Sequence, residues 1–135
     1  MGRPESLFNL ITNAYDAIQK KAELLLSKEM NPHPDDPSPY RGRLVIKART
    51  ERKDGQGWII LETRDNGVGM SPREVESLFI PFFTTKATSE KGTGLGLYVI
   101  HRIIEKHGGT ISATSTYGGG TVFTIRLPVS TTLHA

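Results

Sequence analysis

The chain has 135 residues with 17 basic and 14 acidic side chains, a formal charge of +3, and no cysteine. That length holds one domain with a real core and leaves no room for several, and the lack of cysteine excludes disulfide frameworks, thiolate metal sites and cysteine nucleophiles. Lys and Arg are interleaved with acids rather than gathered into the stripe of a nucleic-acid binder, and apolar runs such as Trp58-Ile59-Ile60-Leu61 reach four residues, against about 18 needed to span a bilayer.

Residues 5–29 repeat Leu7, Leu10, Ile11, Ala14, Ile18 and Leu25 at three- and four-residue steps, which predicts the longest helix. Four of the eight prolines then fall between Pro32 and Pro39, beside Asn31, Asp35, Asp36 and Ser38; this composition ends the helix and predicts a mobile surface loop over about 30–42. Alternating runs at 44–50 and 58–65 predict an antiparallel hairpin across Asp54-Gly55. In the second run Ile59, Leu61, Thr63 and Asp65 share a face, so an acid closes the apolar side. Ser71-Pro72 opens a short helix reaching about Phe79, and 81–91 reads as a loop. Leu95 to His107 returns to helical spacing and stops at Gly108-Gly109. Runs at 110–117 and 121–127 around Gly118-Gly119-Gly120 form a second hairpin. Two hairpins with helices between them predict an α+β two-layer sandwich, helices on one face of a mostly antiparallel, mixed sheet.

Ten of the 14 glycines follow residue 64, in clusters at 67/69, 92/94/96, 108/109 and 118–120. Such clusters serve either tight turns or close approach of backbone to a ligand. Gly92 to Gly96 stands apart, because it opens a helix whose free N–H groups attract anions. It matches neither GxxxxGK[ST] nor GxGxxG after a strand. Asn9 and Asn13 lie one turn apart on the first helix, in line with Asp16 and Lys20. That line is either a solvated face or a set of oxygen donors of the kind Mg²⁺ takes alongside water and phosphate. Asp65 is either the cap of its own turn or an inward carboxylate facing an amine donor.

Together these segments resemble the catalytic, ATP-binding domain of two-component sensor histidine kinases, within the Bergerat-fold ATPases that include DNA gyrase B, heat-shock chaperone and mismatch-repair ATPases. Asn9-Leu10-Ile11-Thr12-Asn13-Ala14-Tyr15-Asp16-Ala17 looks like the N box, Asp65-Asn66-Gly67-Val68-Gly69-Met70 the first glycine box, and Pro81-Phe82-Phe83-Thr84-Thr85-Lys86 the phenylalanine box. Gly92-Thr93-Gly94-Leu95-Gly96-Leu97 and Gly118-Gly119-Gly120-Thr121 resemble the second and third glycine boxes. The Phe-Phe-Thr-Thr-Lys wording is most like the nitrogen-regulatory sensor kinases.

The resemblance implies that Asp65 receives the adenine amine, helped by Gly69 and Thr121, and that Asn13 holds Mg²⁺ against the phosphates with Asn9 beside it. Lys86 and the backbone from Gly92 through Thr93, Gly94, Leu95 and Gly96 to Leu97 would meet the phosphate chain. Asp16, Lys20, Gly67, Met70, Phe83 and Thr85 complete the implied nucleotide contacts. Residues 81–94 would be the ATP lid, and Asn9, Asn13 and Lys86 the catalytic set. Hydrolysing members carry a glutamate at the position of Asn9 to activate water; an amide cannot act as a general base, which favours transfer to an acceptor.

None of the four histidines has a His-Glu or His-Asp phosphoacceptor context. The resemblance therefore implies a fragment of a longer protein, itself monomeric, whose phosphoacceptor and dimerisation domain, and the strand usual before the N box, lie elsewhere. It also implies ATP and ADP as ligands, a response-regulator receiver domain as partner, no nucleic acid, and a cytoplasmic setting. Two alternatives stay open: a hydrolysing ATPase of the chaperone, gyrase or mismatch-repair type, and a non-catalytic nucleotide-sensing module.

Overall fold

A computed structural model describes residues 4–80 and 96–129. In chain order these form α1 (Pro4–Leu26), β1 (Leu44–Lys53), β2 (Gln56–Asp65), α2 (Pro72–Glu76), α3 (Gly96–Lys106), β3 (Thr110–Thr116) and β4 (Gly120–Val129). The four strands make one sheet in the order β1-β2-β4-β3. All three pairings are antiparallel, so among the described residues the sheet is not mixed as expected. Two hairpins joined through β2 and β4 need no parallel crossover.

The first hairpin is tighter than the sequence predicts. Asp54 and Gly55 alone connect its strands, with φ of 53° and 78°, and a two-residue turn with both φ values positive has the twist its strands require. The strands therefore extend to Lys53 and from Gln56. In contrast, α2 is shorter than expected. Ser71 caps it by accepting the Glu74 N–H, and the Glu74 carboxylate accepts the Ser71 N–H in return, a reciprocal capping box. The helix stops at Glu76, with Ser77 as its C-cap. At the end of α3 the Gly109 N–H reaches back to the Ile104 carbonyl at 2.9 Å, and Gly108 sits at φ 80°, so the glycine pair ends the helix as its chemistry demands.

The core lies between α1, α3 and one face of the sheet. Leu10, Ile100, Ile104, Ile111, Phe123 and Ile125 are all buried there, with Leu61, Leu97 and Leu127 packed beside them. Cross-strand register puts Leu61 opposite Ile125 and Ile125 opposite Ile111 on this face. Within the predicted α1 stripe, Leu10 and Ala14 are buried, while Ile11, Ile18 and Leu25 are half-buried; the side chain of Leu7 lies outside the described residues. On the opposite face Ile60 is also enclosed, at 1% exposure. Its register neighbours are Arg49 and Arg126. Arg126 lies 5.3 Å from the Trp58 ring centroid and donates to Glu51 at 3.0 Å, so long cationic side chains cover apolar surface with their stems.

Ile100 is 1% exposed at the centre of this core. Ile100→Ala is expected to lower unfolding free energy by about 2 to 5 kcal/mol. Urea unfolding followed by circular dichroism should show an earlier midpoint with an unchanged slope; an unchanged midpoint would remove Ile100 from the core.

Candidate nucleotide-binding site

A single cross-sheet row anchors the site. Leu44, Asp65, Thr121 and Ser115 are register partners across all four strands. Asp65 is the last residue of β2 and Thr121 the second of β4, so both chains leave the sheet at this end through glycine-bearing loops. Asp65 and Thr121 are 7% and 5% exposed.

The Asp65 carboxylate accepts the Gly67 N–H at 2.8 Å and is also hydrogen-bonded by the Thr121 backbone N–H. A carboxylate has about four acceptor positions, so capacity remains for an incoming amine. Burial pushes this carboxyl above the usual carboxylate range; the two backbone donors and the Lys21 ammonium pull it back only in part.

Glycine is required in the 65–70 loop by close packing. Gly69 has φ 74°, and a Cβ there would run into the Thr116 carbonyl; a Cβ on Gly67 would come within 2.7 Å of the Ala17 backbone. The Val68 N–H donates to the Ala17 carbonyl at 3.0 Å, fastening the 65–70 loop to α1. Ser115 fastens the same loop to the sheet. Its hydroxyl accepts the Met70 N–H and donates to the Gly120 carbonyl, both at 2.8 Å, and meets the Thr121 hydroxyl at 2.8 Å. With its one proton on Gly120, Ser115 is the acceptor of the Thr121 hydroxyl.

Of the predicted site residues, Asp65, Gly67, Gly69, Met70 and Thr121 are thus brought together. Asn9, Asn13 and Asp16 are half-buried on α1, the helix whose Ala17 holds the loop, whereas Lys20 is exposed. The enclosed lysine is its neighbour Lys21, at 0% exposure. Gly96 opens α3, and the Leu97 side chain packs on the core, so Leu97 has only its backbone to offer a phosphate. Phe83, Thr85, Lys86, Gly92, Thr93, Gly94 and Leu95, and with them the predicted lid, lie outside the described residues.

The loop expected to be loose is fastened instead. Asp36 pairs with Lys21, and the Tyr40 hydroxyl donates to the Asn66 carbonyl at 2.9 Å. The Asn66 side chain accepts the Arg43 N–H at 2.7 Å and donates to the Arg41 carbonyl at 2.9 Å. Burial, with the charges of Asp36 and Asp65, pushes the Tyr40 phenol up to about 12. Ser115, Tyr40 and Lys21 were not legible as site residues. For Ser115 a signal existed, since a hairpin turning on Gly118 places it opposite Thr121.

Among the described residues no cluster of three or more His, Cys, Asp or Glu forms a metal cage. Mg²⁺ does not need one: it keeps waters, takes phosphate oxygens and adds one or two protein oxygens. Amide oxygens at Asn9 and Asn13, one turn apart on the helix that backs the glycine loop, fit that role.

The family model described as histidine kinase-, DNA gyrase B- and HSP90-like ATPase matches residues 5–131. The two-component sensor PprA of Pseudomonas aeruginosa is 46% identical over 129 residues, 96% of this chain and 12% of that protein. The sensor histidine kinase ZraS of Salmonella typhi is 45% identical over 89 residues, 66% of this chain and 18% of that protein. The chain therefore spans less than a fifth of either relative. The mycobacterial sensor histidine kinase MprB superposes with a TM-score of 0.60 at 25% identity, covering 92% of this chain and 70% of that structure. These names speak for sensor histidine kinases at large and not for the nitrogen-regulatory subgroup in particular. The antiparallel sheet backed by helices, the two glycine loops meeting at Asp65 and the match across residues 5–131 agree: the chain belongs to the histidine kinase-, gyrase B- and HSP90-like ATPase family.

Proposed function

We propose that this chain is the catalytic domain of a sensor histidine kinase, binding Mg-ATP and donating the γ-phosphoryl group to a histidine on a separate phosphoacceptor and dimerisation domain. A response-regulator receiver domain would then accept it, in the cytoplasm. The observation that carries the reading is the buried Asp65 carboxylate, held by two backbone N–H groups between two glycine loops. It suits a base amine and disfavours a second anion. Asn9 and Asn13 would hold Mg²⁺, which supplies charge neutralisation on the phosphates; Lys86 and the backbone of 92–97 would orient the chain. Phosphoryl transfer asks the protein mainly for positioning and charge stabilisation. Among the described residues no helix is long and apolar enough to cross a membrane.

The test is to mix the domain with a separately purified phosphoacceptor domain from a sensor kinase and γ-labelled ATP. Acid-labile label on the acceptor histidine is the expected result. Free phosphate released from ATP without an acceptor would instead indicate a hydrolysing ATPase, against the reading of Asn9. ATP binding with neither transfer nor release would leave a nucleotide-sensing module.

A further inference from the structure

Lys21 takes no part in this mechanism, yet it is completely enclosed. Its ammonium donates to the Gly118 carbonyl at 2.9 Å, pairs with the Asp36 carboxylate, and stands 5.1 Å from the Tyr40 ring centroid. Asp36 is itself nearly enclosed, with its side chain 6% exposed. An ammonium removed from water is costly unless every donor is met, and an apolar side chain of similar length would fill the space without that cost.

The contacts around Lys21 close a ring. From Lys21 the chain of contacts passes to Asp36 and Tyr40, then from the Tyr40 hydroxyl to Asn66, beside Asp65. The 65–70 loop carries it to Val68, whose carbonyl accepts the Gly118 N–H. The Gly118 carbonyl then returns it to Lys21. Gly118 is thus gripped through both of its peptide groups, one by the first glycine loop and one by α1. Asp65 adjoins Asn66 in this ring, and its register partner Thr121 follows Gly118 by three residues.

Building on the ATP-binding reading, we propose that Lys21 is a positioning residue for base recognition: acting through Gly118 and the 36–43 segment, it fixes the distance between the two glycine loops and so how strongly Asp65 discriminates bases. It touches no nucleotide. Its effect is on the fit of the base, not on the phosphates.

The test compares ATP with purine riboside triphosphate, which lacks the exocyclic amine, by calorimetry in Mg²⁺. Lys21→Met removes the ammonium at similar length, but leaves the nearly enclosed Asp36 carboxylate without a cation, with only the Asn66 amide at 3.5 Å still donating to it. Lys21→Met combined with Asp36→Asn removes both charges and keeps the measurement possible where the single variant fails to fold. The wild type should favour ATP by roughly tenfold or more, and both variants that remain folded by circular dichroism should lose about fivefold of that preference. A purely structural lysine would lower the melting temperature and leave the preference of the folded molecules unchanged, which overturns the proposal. Amide exchange of Gly67, Gly118 and Gly119 without nucleotide should accelerate in the variants; unchanged exchange overturns it as well. A wild type that binds no ATP overturns the nucleotide reading, a failure told apart because the exchange measurement involves no nucleotide.

Discussion

Asp65→Asn is expected to weaken ATP binding by about 100-fold, near 2.7 kcal/mol, without lowering the melting temperature. The asparagine side chain can still accept the Gly67 N–H through its carbonyl oxygen. Its amide group, however, presents a donor to the donor on the base, so a charge-assisted bond becomes a mismatch. Stability moves differently because burial raises the folded-state pKa of this carboxyl. The native chain therefore holds the proton more tightly than the unfolded one. Its contribution to stability is present at low pH and is lost as pH rises through the folded value, so at neutral pH the ionised group opposes folding. The amide carries no such penalty. The same shift gives ATP binding a pH dependence: wild-type affinity should fall on acidification at a higher pH than an ordinary carboxylate would dictate, while Asp65→Asn stays flat across that range. Calorimetric titrations at several pH values decide the matter, and a variant that binds ATP as tightly as the wild type would sink the proposed base contact.

The second large effect is expected at Gly120. Its φ is 95°, and a Cβ there would strike the Asp65 carbonyl oxygen, with the Asn66 Cα only 3.0 Å away. Both neighbours are backbone and cannot rotate aside. Strain and collision together should cost on the order of 3 kcal/mol, lowering the melting temperature by roughly 10 °C. Gly118 supplies the control. It has φ 85° but nothing within 4 Å of the added atom, so Gly118→Ala should suffer strain alone, about 1 kcal/mol. Calorimetric melting of the two variants separates the terms. Equal losses would show that the close approach of Gly120 to Asp65 is unimportant.

Elements were legible wherever local chemistry decides them. The stop at Gly108-Gly109, the Ser71 cap and the shared face of Leu61, Thr63 and Asp65 all follow from rules acting over a few residues. The same period-two alternation puts Thr121, Phe123 and Ile125 on one face of β4, and the register puts Thr121 opposite Asp65. Long-range packing was not legible. A proline-rich segment looks loose from its composition, and only the folded chain shows Asp36 meeting Lys21 across 15 residues and Tyr40 meeting Asn66 across 26. Lys20 and Lys21 are indistinguishable as residue types. Helical spacing does put Lys21 on the Leu10, Ala14, Ile18 and Leu25 stripe and Lys20 on the Asn9, Asn13 and Asp16 line, but a charge argues against burial, and only the folded chain supplies the Asp36 carboxylate and the Gly118 carbonyl that make it possible. The extent of β1 and β2 was missed for a similar reason, since a two-residue turn lets polar residues such as Lys53 and Gln56 pair on ladder hydrogen bonds alone.

The row Leu44–Asp65–Thr121–Ser115 spans the whole width of the sheet, and this ties ligand chemistry to unfolding kinetics. Thr121 is paired on both sides, by β2 and by β3, so the end of the pocket proposed to recognise the base cannot open without parting two ladders. Its fluctuations are those of the sheet, so this end of the proposed base site opens as rarely as the core does. Residence time of the nucleotide then has a ceiling set by global unfolding as well as by its own contacts. A substitution in the distant core, Ile100→Ala for example, would lower that ceiling without touching a residue of the pocket.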